Sequence, residues 1–170
     1  SFVRHGLYAQ RFFKSRFGTI AKTGFNVDSF GHTAMLPQIL KKSCIDQYVF
    51  LRPTPHEKNL PARLFWWESC DGSRVLTFRI AFEYLSWGKE ISTHAMRCVE
   101  EMKDPIDEFM CFYGVGNHGG GPTIENIESI HNLDQDENFP AALMCSTPEN
   151  YFKTALEKNW PIPTVRDELQ

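Results

Sequence analysis

The sequence lacks a long hydrophobic run and a large net charge, and each absence excludes a class of partner. No apolar stretch approaches the roughly 20 residues that a membrane-spanning helix needs, so we expect no membrane partner. The first five residues, Ser1 to His5, do not show the order of charged and apolar regions that marks a signal peptide. The formal net charge of −3 gives no electrostatic reason to expect a nucleic-acid partner.

The sequence also contains no C-x-x-C pair, which excludes a zinc knuckle and a thioredoxin-like site. Its five cysteines are widely scattered: Cys44, Cys70, Cys98, Cys111 and Cys145. Several of them lie among apolar neighbours, as Cys111 and Cys145 do. Cysteines in such surroundings are typical of buried, reduced thiols. We therefore expect a reducing compartment and a cytoplasmic location.

Hydrophobic periodicity predicts strands and helices in alternation. Helices are expected over residues 3–17, 33–43, 89–102, from 123 and from 147 to about 158. Short apolar runs predict strands at 19–27, 48–51, 64–67, 75–80, 109–113 and 141–144. Asp71-Gly72 joins the third and fourth of these strands and is a strong hairpin signal. The order predicts an α/β architecture with a mainly parallel sheet and one inserted β-hairpin.

There is no internal repeat, no low-complexity segment and no evident domain boundary. We therefore expect one α/β segment over residues 1–170. The chain opens inside a helical pattern without a capping residue, which leads us to expect that it is cut from a longer protein.

Asp28 has the most chemical potential of the residues that follow the first strand. It stands in Asn26-Val27-Asp28-Ser29-Phe30-Gly31-His32, where a strand gives way to a tight glycine turn. In α/β proteins the carboxyl ends of strands are where chemistry is found. Asp28 is either a turn acid or helix N-cap, or a nucleophile and metal ligand. His32 either packs beneath the turn or orients Asp28.

A glycine-rich segment from Gly114 to Thr123 contains a G-x-G-x-x-G pattern between a predicted strand and a predicted helix. The extra glycines and Pro122 lengthen the loop, and no acidic residue follows the next strand, so a dinucleotide site is disfavoured. The preferred interpretation is a loop whose backbone lies beside a ligand, with Asn117 and His118 aimed at it. A flexible surface turn is the alternative.

Two further segments offer polar or aromatic groups. Arg52 follows the strand at 48–51, so we expect it at the same sheet edge as Asp28, as a hydrogen-bond donor or as one charge in a solvated loop. Trp66 and Trp67 are adjacent on a strand, so their side chains face opposite sides. One is expected in the core, and the other, which we take to be Trp66, is a candidate sugar platform.

These segments in collinear order resemble the catalytic domain of glycoside hydrolase family 38, the class II α-mannosidases, and lie closest to its bacterial branch. The resemblance rests on the residues 26–32, 35–43, 50–53, 65–68 and 114–123, which include a D-x-F-G-H turn and a G-x-G-x-H-G-G-G-P-T loop. It covers nearly the whole chain, and the two motifs together are specific.

The resemblance implies the central part of a barrel-like catalytic domain and a zinc-dependent, retaining hydrolase of terminal α-linked mannose. It places the nucleophile and one zinc ligand at Asp28 and a sugar contact at Arg52. The substrate would be an α-mannoside or a small mannosyl saccharide, and a homo-oligomer is among the assembly states expected of the parent.

The departures from the family pattern concern the metal and the acid. The family draws zinc ligands from an H-x-D pair and a downstream His, and this chain has no H-x-D, so Asp28 is one of four expected ligands. Asn117 stands where many relatives place an Asp linked to acid/base catalysis, so the acid stays unassigned. The sequence thus predicts a fragment that is inactive alone. The alternative is a non-catalytic carbohydrate-binding or scaffold domain.

Overall fold

The structure is a computed structural model that describes residues 1–86, 91–116 and 120–170. The chain forms two compact units, one of residues 1–79 with 161–170, and one of residues 80–160. The single segment expected over residues 1–170 stays a prediction.

The first unit contains the sheet. Its elements are two helices and five strands: α1 (Phe2–Phe17), β1 (Thr23–Asn26), α2 (Leu36–Lys42), β2 (Gln47–Phe50), β3 (Leu64–Glu68), β4 (Arg74–Arg79) and β5 (Thr164–Val165). The second unit contains the helices α3 (Ser92–Glu101), α4 (Ile124–Asp134) and α5 (Pro148–Glu157).

The five strands form one mixed sheet in the order β1-β2-β4-β3-β5. β1 pairs with β2 and β2 with β4 in parallel, and β3 joins β5 in parallel. β3 and β4 are antiparallel, as the Asp71-Gly72 hairpin signal predicts. The α/β class is therefore confirmed, and the barrel-like closure is not, because β1 and β5 remain as the two edges of an open sheet among the described strands.

The core of this unit lies where one face of the sheet meets α2. Large side chains alternate along β2 and β3, so that Tyr48 and Phe50 share a face with Phe65 and Trp67. Leu36 of α2 covers them. The opposite face is also buried, because Val49, Leu76 and Phe78 are at most 1% exposed. Burial on both faces explains the nearly continuous apolar runs of these strands.

The helix ends follow local sequence signals. α1 ends at Gly18, whose φ of 72° is left-handed and therefore suits glycine. Thr123 and Asn126 form a reciprocal capping box at the start of α4. Thr147 caps α5, in which Pro148 occupies the first turn.

Two predicted strands in the second unit are wrong. Residues 109–113 and 141–144 have no regular secondary structure. Their backbone groups are used in other ways: the Phe112 carbonyl accepts from His94, and the Leu143 amide donates to Asp134. An apolar run forms a strand only beside a partner strand, and no described residue of this unit supplies one.

The cysteines are all free, in agreement with the prediction of reduced thiols. The prediction that they are buried is wrong for three of them, because Cys44, Cys70 and Cys145 are exposed. Apolar neighbours in sequence do not guarantee burial on loops.

In the described part of the chain, none of the helices combines the length and the apolar character required to cross a bilayer.

Candidate active site at the carboxyl edge of the sheet

Asp28 and Arg52 meet at the carboxyl edge of the parallel strands. Asn26 ends β1 directly opposite Phe50, which ends β2, and each of the two charged residues follows two positions later. Arg52 Nε donates to Asp28 Oδ1 over 2.9 Å. The parallel register thus brings together two side chains that are 24 residues apart in sequence.

The ion pair is open to solvent on the Asp28 side. The side chain of Asp28 is 53% exposed and that of Arg52 is 35% exposed. The guanidinium also lies 5.1 Å from the ring centroid of Phe30, which is itself 80% exposed. Asp28 does not cap α2, which begins at Leu36, so the interpretation of Asp28 as a helix N-cap is wrong. The carboxylate is oriented by a fixed cation and remains reachable by a ligand.

Glu57 adds a second negative charge beside Arg52. Its carboxylate lies 3.9 Å from the guanidinium, and it accepts a hydrogen bond from the backbone of Thr54. That bond from Thr54 is the main cause that lowers the pKa of Glu57. Arg52 therefore lies between two carboxylates, of which Asp28 is the closer.

His32 supports this edge from the protein interior. Its side chain is buried, and its Nε2 lies 2.7 Å from the backbone carbonyl oxygen of Arg52. A carbonyl can only accept, so Nε2 carries the proton. Its backbone pairs with Leu169 through two hydrogen bonds, which fix the turn itself. His32 is thus placed to orient Arg52 through the Arg52 backbone, and Arg52 in turn contacts Asp28.

Behind His32 a short hydrogen-bond network of polar side chains reaches into the core. The Tyr48 hydroxyl lies 2.9 Å from His32 Nδ1 and donates to it, because the ring proton is on Nε2. The Asn26 side chain bonds to the same hydroxyl, and Ser29 Oγ donates to Asn26 Oδ1 over 2.8 Å. Sequence reasoning did not single out Tyr48 or Asn26. A tyrosine inside a buried strand is nevertheless a signal, because its hydroxyl requires a partner.

Burial keeps His32 and Tyr48 in this network uncharged. Desolvation lowers the pKa of His32, against the smaller opposing effect of the Arg52 carbonyl. Desolvation likewise raises the pKa of Tyr48. Both groups are therefore neutral near pH 7, and His32 is suited to hold a backbone in place rather than to exchange protons.

Trp66 lies away from this edge. The strand register aligns it with Leu76 of β4, and Leu76 with Gln47 at the start of β2, so Trp66 faces the opposite end of the strands from Asp28. The Arg74 guanidinium lies 4.4 Å from its ring centroid. Trp67 is the core residue of the pair, and its Nε1 donates to the Asp167 carbonyl over 2.8 Å. The structure does not bring Trp66 together with Asp28.

Asn117 and His118 lie outside the described residues. The segments beside them belong to the second unit and approach each other: the Val115 amide donates to the Gly121 carbonyl, and the Gly120 amide to the Gly116 carbonyl. Gly116 has a φ of 70°, and a Cβ there would lie 2.6 Å from Leu85. Both facts explain the need for glycine at that position.

The described residues near Asp28 do not complete a metal site. No trio of His, Cys, Asp or Glu ligand atoms in the described part of the chain includes Asp28. A structural zinc ion takes four ligands, and a catalytic zinc ion takes three from the protein. Asp28 alone does not fit that requirement.

A family model described as glycosyl hydrolases family 38 N-terminal domain matches residues 1–168. Alpha-mannosidase G of Dictyostelium discoideum is 38% identical over 157 residues, which cover 90% of this chain and 14% of that protein. Alpha-mannosidase 2C1 of Homo sapiens is 30% identical over 161 residues, covering 92% of this chain and 15% of that protein. The chain thus spans about one seventh of these relatives.

A solved structure has the same fold. It is an alpha-mannosidase from Enterococcus faecalis V583, with a TM-score of 0.75 at 20% sequence identity, and the match covers 98% of this chain and 20% of that chain.

Proposed function

Because this chain belongs to the glycosyl hydrolase family 38 N-terminal domain family, we propose that the protein carrying it hydrolyses terminal α-linked mannose with retention. In this proposal Asp28 is the nucleophile. The observation that carries it is the Asp28–Arg52 pair, a solvent-accessible carboxylate held by a charge-assisted hydrogen bond of 2.9 Å at the carboxyl edge of parallel strands.

The reaction follows from what a carboxylate can do at an anomeric carbon. An Asp28 oxygen attacks that carbon, the bond to the leaving oxygen breaks, and an acid group gives the leaving oxygen its proton. Water then attacks the glycosyl ester, releases the Asp28 carboxylate and returns a proton to the same acid. Two displacements at one carbon retain the configuration. The acid is unassigned, because Asn117 stands where many relatives place the Asp linked to acid/base catalysis.

Arg52 has two roles in this proposal. Its Nε hydrogen bond leaves one Asp28 oxygen oriented and the other free to attack. Its guanidinium also lies beside the carboxylate and holds it at the carboxyl edge of the sheet. Asn117 and His118, which lie outside the described residues, are proposed as sugar contacts on the strength of the family resemblance. Trp66 is left out of the sugar subsite because Arg74 stacks on it at the far end of the strands.

The proposal includes zinc dependence, which membership of the family implies. When bound, zinc would hold sugar hydroxyls and favour the ionised form of its carboxylate ligand. In the described part of the chain, no trio of possible ligand atoms includes Asp28. We therefore propose that the 170 residues alone neither close a zinc site at Asp28 nor turn over mannosides.

The test compares Asp28→Asn with the unaltered protein that carries this chain, using an aryl α-mannoside as substrate. Loss of a nucleophile is expected to reduce kcat by roughly 10³-fold or more. Asp46→Asn is the matched control, since Asp46 is an exposed, lysine-paired aspartate in the same unit. Proton NMR of the first product formed should show the α-anomer.

Four outcomes would contradict the proposal. Activity that survives Asp28→Asn would exclude Asp28 as nucleophile, and a first-formed β-anomer would exclude retention. Mannose binding without any turnover would favour the carbohydrate-binding alternative. Robust turnover by the isolated 170 residues, lost on Asp28→Ala, would contradict the predicted inactivity of this chain alone.

We also propose a reducing, cytoplasmic location, which the five free thiols support.

A further inference from the structure

A second group of polar side chains lies in the other unit of the chain. His94, Cys98 and Cys111 place one ligand atom each within 4.8 Å of the other two. His94 and Cys98 are four residues apart on α3, so the helix presents them on one face. It is the one trio of this kind within residues 1–86, 91–116 and 120–170.

His94 has the orientation of a metal-binding imidazole. Its Nε2 lies 2.8 Å from the Phe112 carbonyl oxygen, which can only accept, so Nε2 carries the proton. The unprotonated Nδ1 is then the ring nitrogen available to the thiols. Histidine ligands in metal sites commonly donate their second ring N–H to a carbonyl, which fixes the tautomer and the ring plane.

The same carbonyl ties the third ligand to the helix. Phe112 directly follows Cys111, so the bond from His94 holds the Cys111 backbone against α3. The Cys111 sulfur lies within 4.8 Å of the ligand atoms of both Cys98 and His94. The three groups are thus already assembled by two different segments of the unit.

The spacing is close to what a small ion requires. In a tetrahedral site with zinc–sulfur bonds of about 2.3 Å and zinc–nitrogen bonds of about 2.0–2.1 Å, ligand atoms are about 3.5–3.8 Å apart. The observed limit of 4.8 Å exceeds this by about 1 Å, a distance that small χ1 rotations of two cysteines can close. Two thiolates also neutralise a divalent cation, so the occupied site carries no net charge.

Burial separates this trio from a chance surface cluster. Cys98 is 4% exposed, and His94 and Cys111 are half-buried. One side is therefore closed by protein while another remains accessible for an ion to enter. Thiolate and imidazole ligands favour zinc and other soft or borderline ions over calcium and magnesium.

We propose that His94 Nδ1, Cys98 Sγ and Cys111 Sγ form a site for a thiophilic divalent ion of the zinc class, with water as the fourth ligand. Binding replaces two thiol protons, which pass to solvent, and involves no oxidation or reduction. The site is independent of Asp28 and of the proposed hydrolysis.

The test is titration of the reduced, chelator-treated chain with Co²⁺, because thiolate-to-cobalt charge transfer gives an absorption band in the near ultraviolet. A site built from carboxylate and imidazole alone has no such band, so an ion at Asp28 does not contribute. The band is expected at one ion per chain, and Zn²⁺ should displace it. Cys98→Ser and Cys111→Ser should each abolish tight binding, and His94→Ala should weaken it at least tenfold.

Cys145→Ser and Cys70→Ser are matched controls, because both cysteines are exposed and outside the trio. They should leave the band unchanged, as should Asp28→Asn. Circular dichroism checks that each serine variant folds. If Cys98→Ser does not fold, Cys111→Ser is the milder variant, because Cys111 is only half-buried. The proposal is overturned by no band in the folded chain, by a band that persists in Cys111→Ser, or by loss of two thiols to a Cys98–Cys111 disulfide under reducing conditions.

Discussion

Two histidines of this protein are held in the same way and are left with different second partners. His32 Nε2 lies 2.7 Å from the Arg52 carbonyl, and His94 Nε2 lies 2.8 Å from the Phe112 carbonyl. At His32 the remaining nitrogen accepts from the Tyr48 hydroxyl. The His94 ring lies beside two thiols, and its remaining nitrogen is the one that the proposed ion site uses.

This difference decides what each ring can do. Both ring nitrogens of His32 are hydrogen-bonded to protein groups, so His32 is a buried structural residue that fixes the backbone of Arg52. His94 has one nitrogen held by protein and one directed toward soft ligands, which is the arrangement of a metal-binding imidazole. Anchoring one ring nitrogen to a carbonyl is therefore common to both roles, and the partner of the other nitrogen distinguishes them.

The largest expected effect on stability comes from removing the His32 side chain. His32→Ala removes one hydrogen-bond partner from the Tyr48 hydroxyl and one from the Arg52 carbonyl, and it opens a cavity beside Phe50 and Trp67. The free energy of unfolding should fall by about 3–5 kcal/mol. Chemical denaturation monitored by tryptophan fluorescence measures it.

Tyr48→Phe is the milder variant in the same contact. It leaves His32 Nδ1 without a donor and should cost about 1–3 kcal/mol. His56→Ala, at an exposed loop position, is the control and should stay within about 0.5 kcal/mol. A loss at His32 no greater than at His56 would mean that the ring does not support the edge.

Part of the Asp28 edge could be predicted from sequence for a geometric reason. Parallel strands end at the same edge, so residues that follow two such strands come together whatever their separation in the chain. That rule places Asp28 beside Arg52. It gives no information on Tyr48, whose role depends on which side of β2 faces the turn and on where His32 folds back.

The second unit was harder to predict because its loops do not repeat a regular pattern. Residues 109–113 have the apolar composition of a strand, yet the Phe112 carbonyl accepts from His94 rather than from a neighbouring strand. Sequence reasoning also missed the metal trio. C-x-x-C is the spacing that usually indicates a metal site, whereas here two of the ligands, His94 and Cys98, are at positions i and i+4 of a helix. Cys111 could not be added without the fold.

The pH dependence of stability should have opposite signs at the two histidines. Burial lowers the pKa of His32 from 6.5, so its contribution is complete at high pH and is lost as pH falls below about 6.5. The Cys111 thiol is the main cause that raises the pKa of His94, against desolvation and the Arg97 charge. The His94 contribution is therefore present below about 6.5 and is lost as pH rises through its raised pKa.

The measurement is the free energy of unfolding against pH, with a chelator present, for the unaltered chain and for His32→Gln and His94→Gln. The difference between the unaltered chain and His32→Gln should shrink on acidification, and the difference for His94→Gln should grow. Two difference curves with the same sign would mean that the rings do not differ in the way proposed. The His56→Gln curve serves as the exposed baseline.

The smallest effect on stability is expected where the largest effect on chemistry is proposed. The Asp28–Arg52 pair is solvent-exposed on the Asp28 side, and exposed ion pairs contribute only about 0–1 kcal/mol. Asp28→Asn keeps the shape and a hydrogen-bond acceptor for Arg52, so the free energy of unfolding should change by less than about 0.5 kcal/mol. Thermal or chemical denaturation of the variant beside Asp46→Asn provides the measurement.

A loss of more than about 2 kcal/mol in Asp28→Asn would make the pair part of the framework and would weaken the case for a nucleophile. A neutral or slightly stabilising result fits a carboxylate that the fold holds for reaction, because functional charges are commonly kept at some expense to stability. Stability would then depend on His32 and reactivity on Asp28, with Arg52 joining them through its backbone carbonyl on one side and its guanidinium on the other.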